Sequence, residues 1–330
     1  MSNPRKVISM SQTSQTENAS SDLPAEMMSL AEFEKIYERV SNWGRWGEKD
    51  ERGTMHHLGA EEIVRSAQLV RTGRTVSLSL LWNTESGPDN PRPAIHYMTQ
   101  LGDRDPGEPQ TNADYLGCDF HGKAMSHIDA LCHCDFRGKL YNGVPQDESL
   151  GSAGASFGSV LELEHGIVGR GVLLDIPRYR EVPWLEPGTA IKPDELERAA
   201  AAQGSEVGKG DIVLVRTGHF RRRTDLGAWP PFYFAAGLHP TAMPWLHERD
   251  VAVLGADADS DARPAPVEDM LSPIHALTLN AMGMPLLDNL QLDDLADMCV
   301  EENRWEFQCV VAPLRVPRGT GSPINPIAVF

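Results

Sequence analysis

The chain has 330 residues, 41% hydrophobic and 23% charged, enough for one large α/β domain or two small ones with a sizeable core. Its formal net charge of −17 repels nucleic acid and anionic membranes, and no run of about 18 apolar residues offers a membrane span. The five cysteines are odd in number and irregularly spaced, which points to reduced thiols and a cytoplasmic setting.

The N-terminus is rich in Ser, Thr, Asn and Gln and lacks the apolar centre of a signal peptide. Residues 1–24 are therefore expected to form a disordered tail, and residues 25–330 one domain. Residues 29–40 have the spacing of a short amphipathic helix. So do residues 60–71 (AEEIVRSAQLVR), with Gly73 just beyond as a stop. Residues 75–82 (TVSLSLLW) alternate like a strand. Residues 83–112 are rich in Pro, Asn, Gly and Asp and read as an irregular loop, long enough to cover a site.

Three compact apolar runs follow: 171–176 (GVLLDI), 211–217 (DIVLVRT) and 251–255 (VAVLG). Between them Pro193 opens a helix to about residue 203, and His239-Pro240 opens another to about residue 249. Strands alternating with helices predict an α/β fold with parallel components. The run Arg221-Arg222-Arg223 reads as a solvated or carboxylate-pairing segment.

Chemistry concentrates in residues 121–133 (HGKAMSHIDALCH), where three of the chain's 11 histidines and an aspartate fall together. Imidazole with carboxylate suits Zn²⁺ or Mn²⁺. Ser126 is placed to cap a short helix beginning near His127, which would set Asp129 and His133 on one face at i and i+4. Spacing alone leaves two readings open: a metal site, or a polar helix end whose histidines satisfy backbone carbonyls. Cys132 and Cys134 flank His133 without the C-x-x-C spacing of thiolate zinc sites and read as buried thiols.

This segment resembles the H-x-G-T-H-x-D-x-P-x-H signature of the cyclase family, which includes bacterial kynurenine formamidases and isatin hydrolases. His127, Asp129 and His133 match its second His, its Asp and its last His. Residues 138–143 (GKLYNG) resemble the G-x-x-Y-N-G of the longer members. Further likeness lies in residues 46–54, 73–78, 166–175 (GIVGRGVLLD), 210–218 (GDIVLVRTG) and 254–260 (LGADADS). The departures are Met125 and Ser126 for Gly-Thr, Leu131 for Pro, and Lys123 at the first His. A protonated lysine is a poor ligand, so His121, two residues earlier, is the candidate replacement. Downstream, His275 resembles the family's further metal-binding His, and Asp288 stands at its Glu position.

The resemblance implies a swivelling β/β/α-type single domain with mixed sheets flanked by helices. It also implies a homodimer or homotetramer, and a small-molecule substrate such as a formamide, imide or lactone. It assigns His121, His127, Asp129, His275 and Asp288 to one or two divalent ions, Zn²⁺ or Mn²⁺, and His133 to general acid/base work, which its near-neutral intrinsic pKa suits. Trp82 and Phe232 are candidate substrate contacts. So is His219, which follows the C-terminal end of a strand, where α/β enzymes often place ligand contacts. Two other functions stay open: cyclisation or dehydration of a polyketide-like substrate, and non-catalytic binding of a metal or small molecule.

Overall fold

The computed structural model describes residues 27–102 and 107–330. The tail expected over residues 1–24 lies outside the described residues. The apolar runs form the centre of the molecule. Ile167–Asp175, Ile212–Arg216, Val253–Ala256 and Leu286–Asp288 pair in parallel, side by side in that order. Antiparallel strands extend both edges. Glu306–Val311, Ile327–Val329 and Thr75–Ser77 continue from Ile167–Asp175, while His127–Asp129 and Gly321–Pro323 continue from Leu286–Asp288. The result is one nine-stranded mixed sheet.

Both faces of this sheet are covered, which explains why its central strands are apolar throughout rather than alternating. Val172, Leu174, Val213 and Val215 face one core, shared with the helix Leu30–Val40 and with residues 274–286. Leu173, Ile212, Leu214, Leu287 and Ile128 face the other, shared with Leu295 and Phe307. Each such fully buried aliphatic side chain contributes about 1.5–3 kcal/mol by leaving water. The helix Leu30–Val40 starts at a capping box: Ser29 accepts from the Glu32 amide, and the Glu32 carboxylate accepts from the Ser29 amide at 3.0 Å.

Several boundaries differ from expectation. The strand expected over 75–82 is Thr75–Ser77 only. Beyond it the backbone finds other partners: the Leu78 amide donates to the Pro326 carbonyl and the Leu80 amide to Ser126 Oγ. The helix expected to residue 71 covers Ala60–Ala67. The one expected over 239–249 is a 3₁₀ turn, Pro240–Ala242, followed by the helix Met243–His247. Pro244 has no N–H to give the carbonyl four residues back. The irregular loop expected over 83–112 contains a strand, Ile95–Gln100, paired with Ala113–Gly117 as a separate antiparallel ribbon. The arginine run lies on the helix His219–Leu226, and its three guanidinium groups pair with Asp225, Glu186 and Asp89.

Candidate metal centre

Residues 127–129 form a buried strand, not the expected helix. The reason is tertiary. Leu286–Asp288 pairs with this segment on one side and Gly321–Pro323 on the other, so its backbone groups are used in ladders. Ser126 does not cap a helix; its hydroxyl donates to the Asn289 carbonyl at 2.6 Å and accepts from the Leu80 amide. The strand period of two sends Ile128 into the core and turns His127 and Asp129 to the other face. Asp288 lies directly across from His127 in the register and shares that face. A 3₁₀ turn over Leu131–His133 then brings His133 back, with Nε2 3.9 Å from Asp129 Oδ2.

His121 reaches the same point from the preceding loop. Its Nδ1 lies 2.8 Å from Asp129 Oδ1 and its ring stacks on His133 with centroids 3.8 Å apart. Gly321 makes room for this approach, because a Cβ there would sit 2.3 Å from the Ile128 carbonyl and 3.1 Å from His121 Cε1. Asn289, the residue after Asp288, ties the loop down by donating to the carbonyls of Gly122 and Met125 at 2.9 and 3.2 Å. His275 arrives from the short helix Pro273–His275, which runs directly into a π-helical stretch, Ala276–Met282. Such stretches are rare and recur at functional sites.

Asp129 is the centre of this cluster. It is fully buried, and four imidazoles approach its two oxygens: His121 at 2.8 Å, His127 Nε2 at 3.4 Å, His275 Nε2 at 3.5 Å and His133 at 3.9 Å. His121 is within hydrogen-bonding distance, but neither oxygen receives a well-aligned hydrogen bond among the described residues. Burying an unsatisfied carboxylate is costly, and such a group calls for an explanation. The outer nitrogens show what the inner ones are for. His127 Nδ1 donates to the Met125 carbonyl, His275 Nδ1 to Asp261 at 2.6 Å, and His121 Nε2 lies 2.9 Å from Thr320 Oγ1. An imidazole whose far nitrogen is anchored this way presents its near nitrogen as a ligand. Two overlapping donor sets result, each within 4.8 Å: His121, Asp129 and His133, and His127, Asp129 and Asp288. This nitrogen and oxygen donor set fits a divalent cation of the Zn²⁺ or Mn²⁺ type.

The electrostatics agree with the geometry. Burial would raise the Asp129 carboxyl, but the histidines around it, His133 and His127 foremost, hold it well below the usual carboxylate range. Burial disfavours the charged form of His275, yet Asp129, Asp261 and Asp288 raise its pKa well above the usual imidazole value. Burial pushes His133 down to about 4, against the pull of Asp129.

The cluster opens into a cavity of about 300 Å³ lined by His121, His133, His275, Lys123, Arg263 and Phe232, with prolines around them. Phe232, an expected substrate contact, lines this cavity; two other expected contacts, Trp82 and His219, do not. Trp82 lines a separate groove with Leu81, Phe220 and Arg223. The Leu80 amide fastens that segment to Ser126, and Ala124 lines the same groove while Lys123 lines the cavity. His219 is buried under Trp229, ring centroids 4.6 Å apart, and does not line the cavity. Lys123 does not face the cluster; it pairs with Asp259, and His121 occupies the position beside Asp129. Asp261 and Thr320 carry no role in the sequence reading. The alternation Asp257, Asp259, Asp261 just past a buried strand was the available signal for the first of them.

The comparisons with known proteins bear on the family and the fold. Residues 54–261 match the family model Cyclase, described as "Putative cyclase". A crystal structure described as a novel cyclase is 32% identical, with a TM-score of 0.81 over 89% of this chain and 99% of that one. Isatin hydrolase A from Labrenzia aggregata, bound to benzyl benzoate, shares the fold at 20% identity, with a TM-score of 0.54 over 77% of this chain and 93% of its own. A predicted metal-dependent hydrolase from Bacillus stearothermophilus does so at 15% identity, with a TM-score of 0.50 over 78% and 98%. No curated protein sequence matches. A family model covering more than half the chain, and a relative with the same fold along nearly its whole length, show that this chain belongs to the cyclase family.

Proposed function

We propose that the chain is a metal-dependent hydrolase that opens a small amide, formamide, imide or lactone. The observation that carries this reading is Asp129: a fully buried carboxylate without a well-aligned hydrogen bond among the described residues, ringed by imidazole nitrogens whose far sides are anchored. His121, His127 and Asp129, with His275 and Asp288, would hold one or two divalent ions. Such an ion supplies a Lewis acid for the carbonyl oxygen and lowers the pKa of a water molecule toward about 7.

The chain's own residues do the rest. Asp261 fixes the tautomer and aim of His275, and the Met125 carbonyl does the same for His127. His133 lines the cavity and is neutral at pH 7, since burial pushes it to about 4, so it has a lone pair to accept a proton from the attacking water. It then returns that proton to the departing nitrogen or oxygen. Phe232 and the neighbouring prolines exclude water from the apolar part of the substrate. Support for the hydrolytic reading also comes from the fold shared with isatin hydrolase A and with the Bacillus stearothermophilus protein.

The test is hydrolysis of a panel containing an aryl formamide, isatin and an aryl lactone. Turnover that disappears on chelation and returns with Zn²⁺ or Mn²⁺ supports the reading. Metal-loaded protein that turns over none of these, but converts a polyketide-like chain to a ring, would move the assignment to a cyclase. Metal-loaded protein inert to both would make it a binding protein.

A further inference from the structure

The cavity that opens on the histidines also carries a cation. Asp259 is buried, and its Oδ2 accepts from Arg263 Nε at 2.9 Å and Nη2 at 2.6 Å, and from Lys123 Nζ. Arg263 is spent on structure. Its side chain is 4% exposed, and it also donates to the Leu271 carbonyl and to Ser272 Oγ. Lys123 is different: its side chain keeps 19% exposure, it lines the cavity, and among the described residues its ammonium pairs with Asp259 alone. An ammonium has three N–H donors and Asp259 takes up one, so two are left for a ligand in the cavity. The other acidic groups of this wall are already paired, Asp119 with Arg92 and Asp89 with Arg223.

We propose that Lys123, braced by Asp259, anchors a carboxylate on the substrate, which is therefore a small amide, imide or lactone carrying a carboxylate on a flat apolar body. This deepens the hydrolase reading and rests on it. A carboxylate offers those free donors an acceptor of opposite charge, whereas a dianion such as phosphate would bring more negative charge beside Asp259. An ammonium hydrogen bond to a carboxylate is also stronger than a neutral one. The flat body follows from Pro88, Pro91, Pro231 and Phe232, which line the same cavity. The loop holding Lys123 is fixed by the Asn289 bond to the Gly122 carbonyl, so the lysine departs from the metal cluster but stays next to it.

The test uses benzoate and its uncharged isostere benzamide as probes, titrated calorimetrically into chelator-treated protein. Benzoate should bind wild type at least about tenfold more tightly than benzamide. That preference should vanish in Lys123→Met and survive within a few-fold in Lys123→Arg. Equal binding of the two probes to wild type would overturn the proposal, and this comparison decides the matter even if Lys123→Met does not fold. So would an unchanged preference in Lys123→Met. Benzoate binding that appears only after metal is restored would place the carboxylate on the metal cluster instead. That outcome would sink the Lys123 site and leave the hydrolase reading intact. Failure to take up metal would sink the hydrolase reading without changing the benzoate result on chelated protein.

Discussion

Asp129 and Asp257 are equally buried, at 0% and 1% exposure, and their surroundings are opposite. Asp257 Oδ1 accepts from the Thr217 amide and hydroxyl at 2.8 Å each, and Oδ2 accepts from the amides of Gly218 and His219 at 2.7 and 3.1 Å. Its acceptors are used to close the start of the helix His219–Leu226, a structural task. Asp129 has no such donors among the described residues and is surrounded instead by ring nitrogens. The titration behaviour differs in the same sense. Burial pushes Asp257 up to about 6, against the opposing pull of Arg216 and its hydrogen bonds, while the histidines outweigh burial at Asp129. Burial of a charge therefore does not mark the functional site here; the state of its lone pairs does.

The contrast is sharpened first on the Asp129 side. His133→Ala should lower kcat by about 10²–10⁴ while leaving the bound metal in place, read by steady-state kinetics beside elemental analysis. Loss of the metal together with the rate would make His133 a ligand and not a proton carrier.

The next effect in size belongs to the Asp257 side, where His219 begins the capped helix. Burial pushes its pKa from 6.5 down to about 4, although Asp259 and Asp89 pull it up. Between these values the unfolded chain takes up a proton that the folded chain refuses. Stability from this group is therefore complete above pH 6.5 and falls as the pH drops toward 4, by up to about 3 kcal/mol. Denaturant unfolding at pH 7 and 4.5 should show that loss, and His219→Gln should reduce it. The same slope in the variant would locate the proton uptake elsewhere.

Asp261→Asn removes the carboxylate that aims His275 and should weaken metal affinity about 10–100-fold with little change in fold. Unaltered affinity would detach His275 from the metal cluster. The smallest effect is expected for Asp257→Asn, which leaves buried amide donors short of an acceptor. It should cost about 1–2 kcal/mol in thermal unfolding and leave metal content as in the wild type. Loss of metal there would erase the distinction between the two aspartates.

Much of this was legible in the chain. The runs 171–176, 211–217 and 251–255 are apolar enough to be recognised as covered strands, and the clustering of His121, His127, Asp129 and His133 marks the site. The resemblance to the cyclase signature also pointed to His275 and Asp288, and the fold brings His275 within 3.5 Å of both Asp129 and Asp288. What failed was local geometry. Residues 126–133 have helical spacing for Asp129 and His133, yet pairing with two distant strands makes residues 127–129 extended and leaves only a 3₁₀ turn at residues 131–133. Trp82 and His219 lie off the cavity for a related reason: their side-chain directions depend on where Leu80 and Gly218 are fastened, which involves Ser126 and Asp257, 46 and 39 residues away. Such contacts leave no periodicity to read.

The most direct test of the account is the metal content of protein purified without chelator, for wild type, Asp129→Asn and Lys123→Met. About one or two Zn or Mn per chain are expected in wild type and in Lys123→Met, and none in Asp129→Asn. Wild-type protein that takes up neither ion, or an Asp129→Asn variant as fully loaded as wild type, would contradict it.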